Sequence, residues 1–155
     1  VQRILVTMGA GAAPPVRGLR PVAAVAPGVA AATGLSLQQL AAALVGQLRP
    51  AAVVCVDSLC SAEGQRLGRT VQFSDTGLYP AQADHTRHLT RDTVGVPVVA
   101  AGIPTLMQAQ EGADLVVTPR ALDSVIAHGA ALLAGSVNRA LQPRLTVQQL
   151  CWLTG

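Results

Sequence analysis

Asp57 directly follows the apolar run Ala51–Val56, and that placement makes it the first residue to weigh for chemistry. The run reads as a central strand, so Asp57 is expected at its carboxyl end, where open α/β sheets hold their binding crevices. A carboxylate there is expected to be partly desolvated, and a second carboxylate beside it would raise the pKa of the pair. The plainer alternative is an Asp that caps a following helix, with Ser58-Leu59-Cys60-Ser61-Ala62-Glu63 as its first turn.

Other residue groups weigh less. Ser74-Asp75-Thr76-Gly77 contains the Asp-Thr-Gly triplet that all-β aspartic proteases use in pairs, two loops sharing one proton. One copy in an α/β pattern argues against that class. It reads instead as a turn in which Asp75 bonds the backbone two residues on. His85 and His88, with Asp84, have metal-ligating side chains, but a solvated polar loop is expected, and His128 lies far along the chain. Ser58, Ser61 and Ser74 lack the G-x-S-x-G elbow of serine hydrolases. The glycines around Gly9 and Gly11 make neither a phosphate loop nor a dinucleotide fingerprint. Cys55, Cys60 and Cys151 are odd in number and lack CxxC spacing, which argues against a disulfide framework and a zinc site. Cys55 reads as a small buried hydrophobe in a reducing, intracellular protein. No metal and no cofactor is expected.

Val1–Thr7 is an apolar run that reads as a strand or a helix end, and Met8–Gly18 reads as a loop. Pro21–Ala26 reads as a buried strand. Ser36 is placed to cap a helix to about Leu48, with Leu37, Leu40, Leu44 and Leu48 on one face and Pro50 ending it. Ala51–Val56, Thr70–Phe73 and Val96–Ala101 read as strands, the last ended by Gly102 and Pro104. A helix is expected from Thr118-Pro119 to about Leu141, with apolar positions Leu122, Val125, Ile126, Leu132, Leu133 and Val137. A weaker one spans Thr146 to Leu153. Apolar strands alternating with helices predict an α/β three-layer sandwich, with a mostly parallel or mixed sheet and helices on both faces.

The chain has 155 residues, which suits one domain, and at 50% hydrophobic and 12% charged it has material for a sizeable core. All eleven basic residues are arginine, read as the coding bias of a GC-rich genome. The net charge of +3 and the scarcity of aromatics argue against nucleic-acid binding. No stretch approaches a membrane span, and no signal peptide is expected.

Several segments resemble, in order, those of the germination proteases of spore-forming bacteria. Arg20–Val29 is similar to RPVSAxxPGV, and Thr33-Gly34-Leu35 to TGI. Val54–Leu59 is similar to a strand ending IAIDAL. Arg66 with Thr70–Leu78 and Pro80 is similar to R…TIQISDTGIxP. Val94–Thr105 is similar to LGIPVIAIGIPT, and Leu115–Pro119, Ala134-Gly135 and Asn138 to the C-terminal segment. The resemblance covers nearly the whole chain. It implies an endopeptidase that degrades small acid-soluble spore proteins at germination, made as a zymogen, assembled as a homotetramer in the spore core, with a fold similar to the hydrogenase maturation proteases.

The resemblance also implies two catalytic aspartates. One maps onto Asp57. The other belongs to an upstream G-N-x-x-V-T-P-D-A-L-G-P motif, and Val1–Thr7 resembles the helix end just after it. The chain is therefore expected to lack the N-terminal strand, the first catalytic motif and the propeptide, and to be inert alone. Ser58, Asp75, Thr76 and Arg66 are the expected supporting or substrate-contact residues. The sequence departs from the family at Ala62 (Arg in the family), at Gln108 (Asp) and in a shorter loop, Ala81–Arg87. A non-proteolytic spore homologue acting as a binding module, and a metal-assisted maturation-type protease, are the alternatives.

Overall fold

A computed structural model describes residues 3–8, 18–28, 34–79, 88–108 and 116–155. The expected loops at 9–17 and 81–87, with Asp84 and His85, lie outside the described residues. The chain separates into two compact units, Pro27–Ile126 and a smaller one of Val1–Ala26 with Ala127–Gly155.

The larger unit begins with α1 (Leu37–Leu48). Ser36 caps it: its hydroxyl accepts from the Gln39 amide at 3.1 Å, and the Gln39 side chain accepts from the Ser36 amide at 2.9 Å. This satisfies two amides that the first turn would leave bare. At the far end Arg49 turns left-handed, with φ 48°, and its amide donates to the Val45 carbonyl at 2.9 Å, closing the last turn before Pro50. The stripe on the core is Leu37, Ala41 and Val45. The leucine spacing put it a step away, yet Leu48 is exposed.

The sheet holds β1 (Val53–Ser61), β2 (Gln72–Ser74), β3 (Val98–Gln108) and β4 (Val116–Val117). The order is β1-β3-β2, with β1 parallel and β2 antiparallel to β3. β4 pairs antiparallel with the end of β3. The mixed sheet and its helices bear out the α/β fold class. Among the described residues β1 is an edge strand and β3 the central one, so the expected central position of Asp57's strand is corrected.

Both long strands run further than their apolar cores. β3 continues through Gly102 and Pro104, past the end that the sequence predicts for it. Proline has no amide for the ladder, and the register shifts there: Leu59 pairs with Pro104, then Cys60 with Leu106. Thr105 is the extra residue of a bulge, the setting in which a strand tolerates proline. The Pro104 carbonyl is still used, accepting from the Gly68 amide at 2.7 Å. A four-residue helix, α2 (Arg91–Val94), precedes β3 and supplies Val94 to the core with Leu78, Leu89, Val98 and Ala100. α3 (Leu122–Leu141) follows β4.

In the smaller unit, α4 (Val147–Thr154) matches the weaker helix expected there, and Thr146 caps it with a capping box not foreseen from the sequence. Residues 3–8 and 21–26 are neither strand nor helix, against both expectations. Only Leu5 and Val22 are buried among them, too few for a sheet layer. They hold each other instead: the Thr7 amide donates to the Val22 carbonyl at 2.9 Å, and the Val22 amide to the Thr7 hydroxyl at 2.7 Å. Ile126 and Leu132 of α3 are exposed, contrary to the apolar stripe expected. The buried positions are Gly129, Leu133, Ala134 and Asn138.

Asn138 is only 3% exposed. Its Oδ1 accepts from the Leu5 amide at 2.9 Å and its Nδ2 donates to the Arg3 carbonyl at 2.7 Å. Replacing it with alanine strands two backbone groups in a buried setting. Asn138→Ala is expected to cost about 2–4 kcal/mol, read as a lower urea midpoint with an unchanged slope.

Candidate functional site

Asp57 is the fifth of nine residues in β1 rather than the residue after a strand. Neither the strand end nor the helix cap expected from sequence is present, because residues 58–61 stay paired with β3. Asp57 is also exposed, so the expected partial desolvation is absent. Its Oδ1 accepts from the next amide, Ser58 N, at 2.8 Å. It is the one acidic residue in the four strands.

Register shows what shares its surroundings. Asp57 lies opposite Gly102, and Gly102 lies opposite Gln72 on the other side. Residues in one cross-strand row share a sheet face. Asp57, Gly102 and Gln72 therefore form a row with no β3 side chain between the carboxylate and the amide. Gly102 is required there: a Cβ would collide with the Asp57 carbonyl and stand 2.7 Å from Leu59 Cγ. Neither Gln72 nor the strand role of Gly102 was foreseen. The signal available was a lone amide inside the apolar run Thr70–Phe73.

One row back, Cys55 sits on the same face and packs with the core. Burial first, and the Asp57 carboxylate second, push its thiol up to about 11. Both causes favour the neutral thiol, so its reactivity rises only as pH approaches that value. At neutral pH alkylation of Cys55 is expected to be about a hundredfold slower than that of an unperturbed thiol. Peptide mass mapping against pH would check it, and Asp57→Asn should bring the midpoint down.

The other candidates are dispersed. Ser58 follows Asp57 and so projects to the opposite face, where Val54, Val56 and Phe73 are exposed. Arg66 lies in the turns after β1 and pairs with Glu63 at 3.0 Å on the surface. Asp75 and Thr76 follow β2, where the antiparallel strand has run back past the level of Cys55. Spacings in a sheet put Asp75 roughly 10 Å along and roughly 10 Å across from Asp57. The two do not form a dyad. The turn is built by Ser74, not Asp75: the Ser74 hydroxyl accepts from the Thr76 amide at 3.3 Å and lies 2.8 Å from its hydroxyl. His88 stacks edge-on to Tyr79, with ring centres 5.0 Å apart. Among the described residues no three His, Cys, Asp or Glu side chains gather as a metal site. No described helix is long and apolar enough to cross a membrane.

The arrangement defines an α/β protein with one exposed carboxylate midway along a parallel strand pair. Comparison with known proteins makes it specific. The family model described as germination protease matches residues 3–113. The chain is 28% identical to the germination protease of Clostridium perfringens (strain 13 / Type A), over 85% of this chain and 55% of that protein. It is 37% identical to that of Halalkalibacterium halodurans, over 72% of this chain and 29% of that protein. With the Bacillus subtilis (strain 168) protein the identity is 38%, over 59% and 26%. The chain belongs to the germination protease family. It spans about half the length of the clostridial relatives it matches, and less of the others.

Proposed function

We propose that the complete gene product is an endopeptidase that degrades small acid-soluble spore proteins during germination, with Asp57 as one of two carboxylates at the reacting bond. The supporting observation is the position of Asp57: the lone acid of the strands, exposed beside Gly102 and Gln72, on the segment that resembles the family's aspartate-bearing strand. One carboxylate takes a proton from water as the oxygen attacks the scissile carbonyl. The other, protonated, polarises that carbonyl and returns a proton to the leaving amine. The second aspartate is assigned to the upstream motif of the family. Synthesis as a zymogen, a homotetramer and action in the spore core belong to the same proposal.

The test is incubation of the purified gene product, with any propeptide removed, with small acid-soluble spore proteins, with and without a chelator. Discrete cleavage that survives chelation is expected. No cleavage would favour a binding module, and loss with chelator a metal-assisted protease. The 155-residue chain alone is expected to be inert. Cleavage by it that Asp57→Asn abolishes would sink the two-carboxylate assignment.

A further inference from the structure

The smaller unit is electrostatically one-sided. Val1–Ala26 with Ala127–Gly155 contains five arginines, Arg3, Arg17, Arg20, Arg139 and Arg144, and no aspartate or glutamate. The other six arginines and all eight acidic residues lie in Pro27–Ile126. The two ends of the sequence thus fall in one unit whose side chains carry positive charge and no negative charge.

Within that body a cleft of about 230 Å³ is lined by Gly18, Arg20, Gln142, Pro143 and Arg144. Its frame is held by hydrogen bonds. Gln142 is only 2% exposed, and its side chain accepts from the Arg20 amide and donates to the Arg20 carbonyl, both at 2.9 Å. Arg139 fixes the other wall, donating to the Pro143 carbonyl at 2.7 Å and the Leu145 carbonyl at 3.2 Å. Arg139 is thereby occupied, which leaves Arg20 and Arg144 as the cations of the cleft. Gly18 has φ 85°, and a Cβ on it would stand 3.3 Å from Arg144 Nη1, so its bare backbone gives the guanidinium room. Among the described residues the one ion pair is Arg66–Glu63, in the other unit.

We propose that this cleft binds the phosphate group of a small molecule. Two guanidinium groups on backbones pinned by Gln142 and Arg139 present forked donors to a tetrahedral oxyanion, and no acid of the same unit competes for them. An open cleft of this size, with both arginines exposed, suits a free phosphate compound. A nucleic-acid chain would need a longer track of cations than two.

Inorganic phosphate is the probe, titrated into the 155-residue chain at ionic strength matched with sodium chloride and followed by amide and arginine Nε–H resonances. Saturable shifts at Gly18, Arg20 and Arg144 are expected, with a dissociation constant of about 1 mM or tighter. Arg20→Gln and Arg144→Gln should each weaken binding about tenfold, and Arg49→Gln in the other unit should not. The thermal midpoint of the unaltered chain should rise saturably with phosphate, an independent readout. Shifts that are linear, shared with chloride or indifferent to Arg144→Gln would overturn the proposal. So would a single-stranded oligonucleotide binding more tightly than phosphate, with a salt slope steeper than about two phosphates' worth.

Discussion

In the complete gene product, Asp57→Asn is expected to lower kcat on small acid-soluble spore proteins at least about a thousandfold, with the fold intact. Such a loss corresponds to about 4 kcal/mol of transition-state stabilisation. Asparagine matches aspartate in shape, and its carbonyl oxygen still accepts from the Ser58 amide, a 2.8 Å bond in this structure. What it lacks is the charge and the ability to hold a proton, the two properties the proposed mechanism uses. Asp57 is exposed, so stability should change by no more than about 0.5 kcal/mol. A role in substrate binding alone would raise KM and spare kcat, so separating the two constants discriminates. Asp75→Asn is the control. It lies outside the Asp57 row and should leave kcat within about twofold. If both variants lose activity equally, the assignment of Asp57 fails.

The structure also shows which parts of this fold a sequence makes legible. The cap of α1 was readable, because Ser36 acts on an amide three residues away; the equivalent box on Thr146 was not foreseen. The apolar heart of β1 and β3 was readable too. Their lengths were not, since what carries β1 beyond Val56 is pairing with a partner some forty residues distant. Gly102 and Pro104 look like stops until the bulge at Thr105 absorbs the missing amide. The smaller unit was least legible. Its ends are joined by Asn138 and Gln142, whose buried amides bond backbone more than a hundred residues away. Polar residues doing core work leave no apolar period to read. At the site, Asp57 was found by type and position, but its neighbour Gln72 follows only from register, which no local pattern specifies.

Register also makes Gly102 the most sensitive glycine beside the site. Gly102→Ala is expected to destabilise the chain by about 3 kcal/mol and lower the thermal midpoint by roughly 6–12 °C. The added methyl would meet the carbonyl of Asp57, which is backbone and cannot rotate away, as well as the Leu59 side chain. Relief requires β1 and β3 to part at the row that carries the carboxylate. Proteolysis by the complete gene product should therefore fall further than stability alone accounts for. Gly135→Ala sets the scale. Gly135 lies inside α3, is exposed, and its Cβ would meet nothing within 4 Å. There alanine should stabilise by about 0.5–1 kcal/mol through helix propensity. Opposite signs for one methyl at two glycines would separate close backbone approach from chain entropy. Equal effects would mean that β1 and β3 do not meet as closely at Asp57 as this register requires.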